Sequence, residues 1–479
     1  VAGEAGEDTA SPGGHLKKSH SDDELKTQNL DGAEQLLKKA AKLDPSLDGA
    51  WLTLAQLLWK KGDLEGAKNC YDAVLHKKPT NVAVHKKTLC QLSMLSRTLA
   101  KSNAKPGTEA QKRFVADSVL FAKAAVKLDL NDGYSWYQVG TAYMSAFFAQ
   151  GATDKSKLLQ ALKAYDCAEK GGPLGTLVAI NGDGNGNGTN KGTGDTHGFG
   201  DQGDTSATGG TKNIHNSALT NRNGDHGIHK SGSPGGGIGD HPDLHFNRAV
   251  VSRYVEHFGE ALCGFAKAQA LDKNLPTQTE VDAVLAALGK LHDACAGVGA
   301  SFKQKKLAGI KSALREDTGE TTENADGRTK TDGKTQNVPV VLTHENRQFS
   351  CVELASLTEG VNQNVALRCR AVIDATAGAS GTTGGGENNT EGALNLHYVV
   401  VDKYGGLCAV SVYGLEDGAL RLSATLTLLE PDLRNVDVTY RGKRYEFKLI
   451  RVDSPRQILV AGKAPVGRIA RPRLATALM

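Results

Sequence analysis

Two prolines near the start of the chain frame a repeated order of small and large side chains. Pro45 and Pro79 lie 34 residues apart. Ala33, Leu37 and Ala40 precede Pro45. Ala67, Tyr71 and Val74 precede Pro79 at the same three distances. A unit of this length is one pair of helices, which cannot bury its apolar face alone and must stack on its neighbours. The period therefore predicts an array of helix pairs.

The motif between the prolines narrows the type of repeat. Trp51-x-x-Leu54-Ala55-x-x-Leu58 matches the tetratricopeptide (TPR) pattern. Copies recur from Trp136 to Pro173 and from Pro242 to Asp272, with small residues where two helices approach and large ones between them. The repeats predict an all-α TPR superhelix over residues 31–315, a scaffold suited to holding peptides rather than to catalysis.

Long polar and glycine-rich stretches interrupt the helical pattern. The chain has 479 residues, of which 56 are glycine. Residues 1–30 and an insert over 174–241 are predicted to be disordered, since such compositions bury too little apolar surface to offset the entropy of ordering. Because TPR spacing resumes after residue 241, the insert lies between repeats and is not a domain boundary.

After a charged linker at 316–337 the period changes from helical to about two. Short β-rich runs follow, with turn signals such as Gly405-Gly406 and Arg441-Gly442-Lys443 between them. They predict an OB-fold-like barrel over 338–465, with a second glycine-rich insertion at 378–393 and a basic tail at 466–479. The predicted fold class is thus multidomain: TPR helices, then a mainly β barrel.

Charge, cysteine spacing and motifs argue against several classes of function. Net charge is only +4, and none of the eight cysteines forms a C-x-x-C pair, which favours buried reduced thiols over zinc or disulfides. The glycines from Gly182 to Gly188 lack the following helix of a dinucleotide site, and Gly194 stands where a calcium loop needs glutamate. We expect no cofactor, no metal, no membrane span and no enzymatic activity, because no nucleophile and base stand out.

Three surfaces remain open to more than one interpretation. Leu52, Gln56, Tyr137 and Thr141 occupy the positions of the Lys/Asn clamp for acidic tails, so we expect no such clamp. The basic helix at 301–315 is either a solvated cap or a docking site for phosphate-rich RNA. Aromatic residues at strand spacing in the barrel are expected to pack rather than to stack on bases; they are Tyr398, Tyr413, Tyr440, Tyr445 and Phe447.

Specific local motifs resemble the tetratricopeptide repeat protein 5 (Strap) family, in which TPR helices precede a C-terminal OB-fold. The matching segments include Trp59-Lys60-Lys61-Gly62-Asp63, Pro242-Asp243-Leu244-His245-Phe246, Glu430-Pro431-Asp432-Leu433-Arg434 and Arg451-Val452-Asp453-Ser454-Pro455. The resemblance runs from about residue 31 to 465, apart from the inserts.

The resemblance implies a non-catalytic adaptor of the cytoplasm and nucleus. Members of the family bind the N-terminal peptide of nascent tubulin at the ribosome and recruit a downstream mRNA-decay adaptor, so that tubulin mRNA is degraded. An alternative role implied by the family is that of a nuclear, stress-responsive transcription cofactor that binds an acetyltransferase coactivator.

Particular residues match family positions. A peptide-groove arginine falls at Arg97 and a groove aspartate at Asp243, while two ribosome-contacting lysines fall at Lys303 and Lys305. A peptide beginning Met-Arg-Glu would let Asp243 pair with its arginine and Arg97 with its glutamate. A family glutamate near the groove falls at Thr277, which would remove one acidic contact.

Overall fold

The computed structural model describes most of the repeats and the barrel. The described residues are 14–77, 79, 81–102, 107–152, 154–172, 236–301, 304–316, 341–376, 395–416 and 418–465. Most of the predicted first insert, the second insertion, the predicted linker after residue 316 and the predicted tail lie outside them. The chain divides into two compact units: residues 1–67 with 173–231, and residues 68–172 with 232–479.

The described part of the first unit is helical from an early point. Helix α1 covers Gly14–Leu43, α2 covers Asp48–Lys60, and α3 (Leu64–His76) begins in this unit. Helix α1 thus begins inside residues 1–30, for which the sequence predicts disorder. Neither proline nor glycine stands between Gly14 and Gly32, and Lys18 precedes Asp22 by one helical turn, so nothing in this stretch stops a helix.

The second unit contains the remaining helices. Their bounds are α4 Val82–Ser102, α5 Glu109–Leu128, α6 Gly133–Ala149, α7 Lys155–Lys170, α8 Pro242–Tyr254, α9 Phe258–Leu271, α10 Thr277–Ser301 and α11 Gln304–Glu316. Helices α4 and α5, α6 and α7, and α8 and α9 pack as pairs. The predicted repeats are thus present as helix pairs in this unit.

Small residues set the spacing within these pairs. A Cβ atom on Gly140 of α6 would lie only 2.5 Å from the ring of Tyr165 on α7. Likewise, a Cβ atom on Gly264 of α9 would lie 2.8 Å from that of Ala249 on α8. Each glycine therefore permits a close approach that any side chain would prevent, as the repeat pattern predicts.

The chain rejoins the repeats before the predicted insert ends. The backbone carbonyl of Gly236 accepts a hydrogen bond from Gly133 N at 3.0 Å, and Ile238 N donates to Ala168 O at 3.0 Å. A Cβ atom on Gly237 would lie 2.4 Å from Glu169 O. The last residues of the predicted insert, from Gly236 onward, thus pack on the backbone of α6 and α7, which leaves no room for a side chain at Gly237.

The C-terminal region is a curled β-sheet. Its strands are β1 Val341–His344, β2 Arg347–Val352, β3 Gly360–Val361, β4 Val365–Asp374, β5 Asn395–Asp402, β6 Leu407–Tyr413, β7 Thr425–Leu429, β8 Asp432–Tyr440, β9 Lys443–Val452 and β10 Ile458–Val460. Six β-rich runs of the sequence correspond to β4–β9; they are Val365–Ile373, Leu396–Asp402, Leu407–Tyr413, Leu422–Leu429, Val436–Tyr440 and Tyr445–Val452. Strands β1, β2, β3 and β10 were not predicted. Strands β1, β3 and β10 have only two to four residues, too few for periodicity to show, and Arg347–Val352 of β2 has a mostly polar and exposed beginning.

A bent strand closes the barrel. Strand β4 pairs with β5 on one side and β7 on the other, β5 pairs with β6, and β6 runs parallel to β9. Strand β9 pairs with β8, which follows β7 after only Glu430 and Pro431. Leu367, Tyr398 and Ile450 are fully buried inside. The predicted fold class, TPR helices followed by an OB-fold-like barrel, is confirmed.

A buried ion pair joins the barrel to the turn between α8 and α9. Glu256 in that turn is 5% exposed, and its Oε1 accepts a hydrogen bond from the Tyr413 hydroxyl at 2.9 Å. The Arg451 guanidinium, also buried, lies 3.5 Å from Glu256 Oε2 and donates to Tyr254 O at 2.7 Å. Burial opposes the charge of Arg451, but Tyr413 and Glu256 raise the pKa of this guanidinium above its ordinary value.

A second, more open set of ion pairs lies beside the first. Lys155 Nζ, at the start of α7, lies 2.9 Å from Asp432 Oδ2 and 3.4 Å from Asp453 Oδ2. Burial opposes ionisation of Asp432, yet hydrogen bonding to Lys155 and the nearby charge of Arg434 hold the pKa of its carboxyl below the usual range. Arg434 also donates to the carbonyl of Val255. The barrel is thus attached to two helix pairs through charged groups.

Glu256 offers a test of this attachment, because its backbone is in the left-handed region at φ +64°. Glu256→Gly removes the carboxylate but relieves that backbone, whereas Glu256→Ala removes the carboxylate and keeps the strained conformation. We expect both variants to destabilise the chain, with Glu256→Ala worse by about 1 kcal/mol and the loss of the buried partner of Arg451 costing about 3–5 kcal/mol. Urea unfolding of the full chain measures both. A Glu256→Gly variant more stable than the parent would show that the ion pair does not stabilise the interface.

Candidate peptide-binding groove

The first predicted groove residue, Arg97, lies in the last two turns of α4 and is almost fully buried. Its side chain donates hydrogen bonds to Ser93 Oγ at 2.9 Å, Ser118 Oγ at 3.0 Å and Gln138 Oε1 at 2.7 Å. A guanidinium has five N–H groups, so these bonds use three of them. Gln138 belongs to α6, and Arg97 therefore connects α4 to the first helix of the next pair.

The surroundings of Arg97 are neutral. Within the described ranges, no carboxylate oxygen lies within 4.0 Å of its guanidinium, and burial lowers the pKa of Arg97 from its ordinary value. A cation in such a place is desolvated without a countercharge, which is unfavourable until an anion arrives. The arrangement is therefore suited to receiving a carboxylate from a ligand.

Aromatic rings extend from this point along α6. Tyr137 is central: its ring centroid lies 6.2 Å from that of Tyr134, 6.0 Å from that of Tyr165 and 5.7 Å from that of His241. Its hydroxyl accepts a hydrogen bond from Asn247 Nδ2 of α8 at 2.9 Å. We call Arg97, Tyr134, Tyr137, Gln138, His241, Asp243 and Asn247 the groove cluster.

The second predicted residue, Asp243, lies in the first turn of α8. Its side chain is 29% exposed, and Oδ2 lies 3.8 Å from His241 Nδ1. Burial and then the negative charge of Asp243 raise the pKa of Tyr137 well above its ordinary value. Asp243 is thus linked to Tyr137 through His241, whose ring lies beside that of Tyr137, while Arg97 donates a hydrogen bond to the adjacent Gln138. The structure brings both predicted residues to α6.

Sequence reasoning missed the connecting residues. The pattern marks Tyr137 only as a failed clamp position, and it does not single out Gln138 or Asn247. The available signal was Tyr134, Tyr137, Gln138 and Thr141 at helical spacing, with polar atoms in a mostly apolar helix. Their mutual contacts depend on how three helices pack, which spacing along one helix does not determine.

The structure says less about the other three positions that were matched to family residues, Thr277, Lys303 and Lys305. Thr277, where the family has a glutamate, is fully buried at the start of α10, and its Oγ1 has no hydrogen-bond partner among the described residues. Lys303 lies outside the described residues, and Lys305 is assigned only to α11. The basic helix predicted at 301–315 is accordingly α11, which begins at Gln304.

The remaining chemistry of the described region offers no second site of this kind. Among the described residues, no three His, Cys, Asp or Glu side chains are grouped as a metal site would need. No described helix is long and apolar enough to cross a membrane. Burial raises the pKa of the Cys90 and Cys295 thiols to about 11, so these two are protonated and unreactive near neutral pH.

The barrel aromatics pack as predicted. Tyr398, Tyr413, Tyr445 and Phe447 are all buried, and Tyr440 is half-buried near the end of a hairpin. Helix α10 of the chain itself packs on β5, β6 and β9. These aromatic side chains therefore form barrel core and barrel–helix contacts rather than an open stacking surface.

Comparison with known proteins agrees with this architecture. A family model for the OB-fold domain of tetratricopeptide repeat protein 5 matches residues 348–471, and a tetratricopeptide repeat model matches residues 24–88. Tetratricopeptide repeat protein 5 from Mus musculus, Bos taurus and Homo sapiens is in each case 29% identical over 433 residues, covering 90% of this chain and 76% of the relative.

Two solved TPR structures are also similar over about half of the chain. The thermophilic TPR protein TTC0263 of Thermus thermophilus has a TM-score of 0.30 and 15% identity, covering 55% of this chain and 93% of its own. YrrB, described as a TPR protein with an unusual peptide-binding site, has a TM-score of 0.28 and 15% identity, covering 54% of this chain and 86% of its own. Scores this low carry no functional information.

The two family models match the chain in the order of a TPR region followed by an OB-fold domain. The repeats and the relatives support a TPR-based protein-binding adaptor. These matches support a protein of the tetratricopeptide repeat protein 5 family, with TPR helices followed by an OB-fold domain.

Proposed function

We propose that the groove cluster binds the N-terminus of nascent tubulin at the ribosome and so promotes decay of tubulin mRNA through a downstream mRNA-decay adaptor. The observation that carries the proposal is the arrangement of charge. A buried arginine without a carboxylate partner among the described residues bonds to Gln138, the neighbour of Tyr137. A partly exposed aspartate, Asp243, lies 3.8 Å from His241, whose ring centroid is 5.7 Å from that of Tyr137. A peptide beginning Met-Arg-Glu supplies the opposite charges in adjacent residues.

The two charges would act differently. Asp243 keeps contact with solvent, so a peptide arginine can reach it without complete desolvation of the carboxylate. Arg97 is already desolvated by the protein, so a carboxylate gains from a preorganised donor whose desolvation cost has been met on folding. The tyrosine rings between them offer an apolar surface for the intervening peptide backbone.

The proposal requires the protein to be in the cytoplasm, where translating ribosomes are. The family's nuclear role, with an acetyltransferase coactivator as partner, remains a prediction that none of the described contacts favours. Recruitment of the downstream decay adaptor is part of the proposal, and its binding surface is not assigned.

The peptide contact is tested with Asp243→Asn, which removes the charge and keeps the shape of the side chain. We expect the full chain to bind a synthetic Met-Arg-Glu peptide roughly 10- to 100-fold more weakly after this change, because a charged hydrogen bond is lost. Isothermal titration calorimetry measures the affinity. The matched control is Asp240→Asn, three residues earlier and exposed, which we expect to leave the affinity unchanged.

Changes in the peptide make the assignment specific. Replacing the peptide's arginine by glutamine should weaken binding to the parent but not further weaken binding to Asp243→Asn. Replacing its glutamate by glutamine should instead show this coupling with Arg97→Met, which keeps the length of the side chain. Equal effects of both peptide changes on both variants would contradict the proposed pairing.

Ribosome contact is tested separately through Lys303→Glu and Lys305→Glu together. We expect this double variant to lose sedimentation with ribosomes that display a tubulin N-terminus, because two phosphate contacts become repulsive. Its affinity for the free peptide should not change. Parallel loss of both activities would mean that the charge reversal damages the repeats and would remove the support for a ribosome-contacting α11.

A further inference from the structure

The side-chain amide of Gln138 on α6 is held from two sides. Gln138 is buried, and its Oε1 accepts a hydrogen bond from the Arg97 guanidinium at 2.7 Å. A guanidinium only donates, so the amide oxygen must face it and the amide nitrogen is left for another partner. Burial raises the pKa of Tyr134 to about 12, and a hydrogen bond from the Gln138 side chain acts in the opposite direction. Gln138 therefore connects Arg97 to a tyrosine of the groove cluster.

The hydrogen-bond acceptors of Arg97 in the described part of the chain are all neutral. They are the hydroxyls of Ser93 and Ser118 and the amide oxygen of Gln138. These groups fix the position of the guanidinium but leave its charge uncompensated, whereas a buried charge is normally paired with an opposite one. Glutamate has nearly the same size and shape as glutamine and could reach the same guanidinium. Packing alone therefore does not explain why position 138 holds an amide.

The charge of Arg97 acts on the tyrosine hydroxyls around it. Burial raises the pKa of Tyr134, Tyr137 and Tyr165, and the positive charge of Arg97 acts in the opposite direction on all three. Such an effect extends over several ångströms because the protein interior screens a charge less than water does. Tyr134 and Tyr137 are only half-buried, so the charge of Arg97 reaches side chains that border solvent.

We propose that Gln138 determines the preference of the groove cluster for a ligand carboxylate. As a neutral acceptor, Gln138 holds the Arg97 guanidinium in place and leaves its positive charge to be compensated by the ligand. A carboxylate at position 138 would compensate the same charge from within the protein and remove the preference. This role rests on the function proposed for the groove cluster, and it adds a residue that determines specificity there.

Two peptides of the same length separate the charge of the ligand from its shape. A peptide beginning Met-Arg-Glu brings a carboxylate to the groove, and one beginning Met-Arg-Gln brings an amide of nearly the same size. The second peptide offers Arg97 only an amide oxygen, which Gln138 already supplies. The carboxylate of the first peptide instead adds a negative charge that the described surroundings of the Arg97 guanidinium do not hold.

The test measures the affinity of the full chain for both synthetic peptides by isothermal titration calorimetry. The parent should bind Met-Arg-Glu roughly 10- to 100-fold more tightly than Met-Arg-Gln, because only the carboxylate makes a charged interaction with Arg97. For Gln138→Glu we expect this ratio to fall to about 1, because the new carboxylate compensates Arg97 before the ligand arrives. The loss should come from weaker binding of the glutamate peptide.

Two further variants complete the design. Gln138→Met removes the acceptor but adds no charge, so binding of both peptides should weaken together and their ratio should be kept. Its thermal stability should fall, because Arg97 loses a buried hydrogen-bond partner. The matched control is Gln150→Glu, at the exposed C-terminal end of the same helix and about 18 Å farther along its axis. This control should leave the ratio of the two affinities unchanged.

Three results would overturn the role of Gln138. If the parent prefers Met-Arg-Glu and Gln138→Glu keeps that preference, Gln138 only connects α4 to α6, and the function proposed for the groove cluster is unaffected. If Gln138→Met loses the preference as Gln138→Glu does, the hydrogen bond sets it rather than the neutrality of the acceptor. If the parent binds both peptides equally, or binds neither, the function proposed for the groove cluster fails together with the role of Gln138.

Discussion

The buried contact between Arg451 and Glu256 is the interaction on which the arrangement of the second unit depends. Both side chains are almost fully removed from solvent, and each is held by further hydrogen bonds to Tyr413 or to the end of α8. Desolvating two charges is costly, and the cost is recovered only when the geometry is satisfied on all sides. Glu256 Oε2 takes part in the ion pair but has no hydrogen bond among the described residues, and loss of either side chain would leave the other charge buried without its countercharge.

That docking has a consequence for the groove cluster. Helix α8 begins beside Asp243, and the turn after its end contains Glu256. One helix of 13 residues, about 20 Å long, thus carries a groove residue at one end and the barrel anchor at the other. The barrel therefore helps to hold α8 in position, and the OB-fold can contribute to recognition in the groove without touching the ligand.

The same contacts explain why particular barrel segments match the family. The segments Glu430–Arg434 and Arg451–Pro455 match the family as motifs of the barrel, and the sequence attaches no role to them. In the structure their charged members, Asp432, Arg434, Arg451 and Asp453, meet the repeats or each other. Unrelated OB-folds have no reason to carry these charges, which explains why the motifs were more specific than the strand pattern.

The sequence by itself determined that TPR helices precede a β-barrel. The spacing and size of the apolar residues along a helix or strand reflect the face that it must bury. It also indicated Arg97 and Asp243, although only through resemblance. It failed where the outcome depends on other elements: helix α1 begins earlier than its composition suggested, and the glycines after residue 235 pack on α6 and α7. Only the tertiary structure decided that Tyr137 and Gln138 connect the two groove residues and that α10 lies on the barrel. Contacts between residues far apart in the chain depend on helix packing and on buried charges. The spacing of residues within one segment determines neither of them.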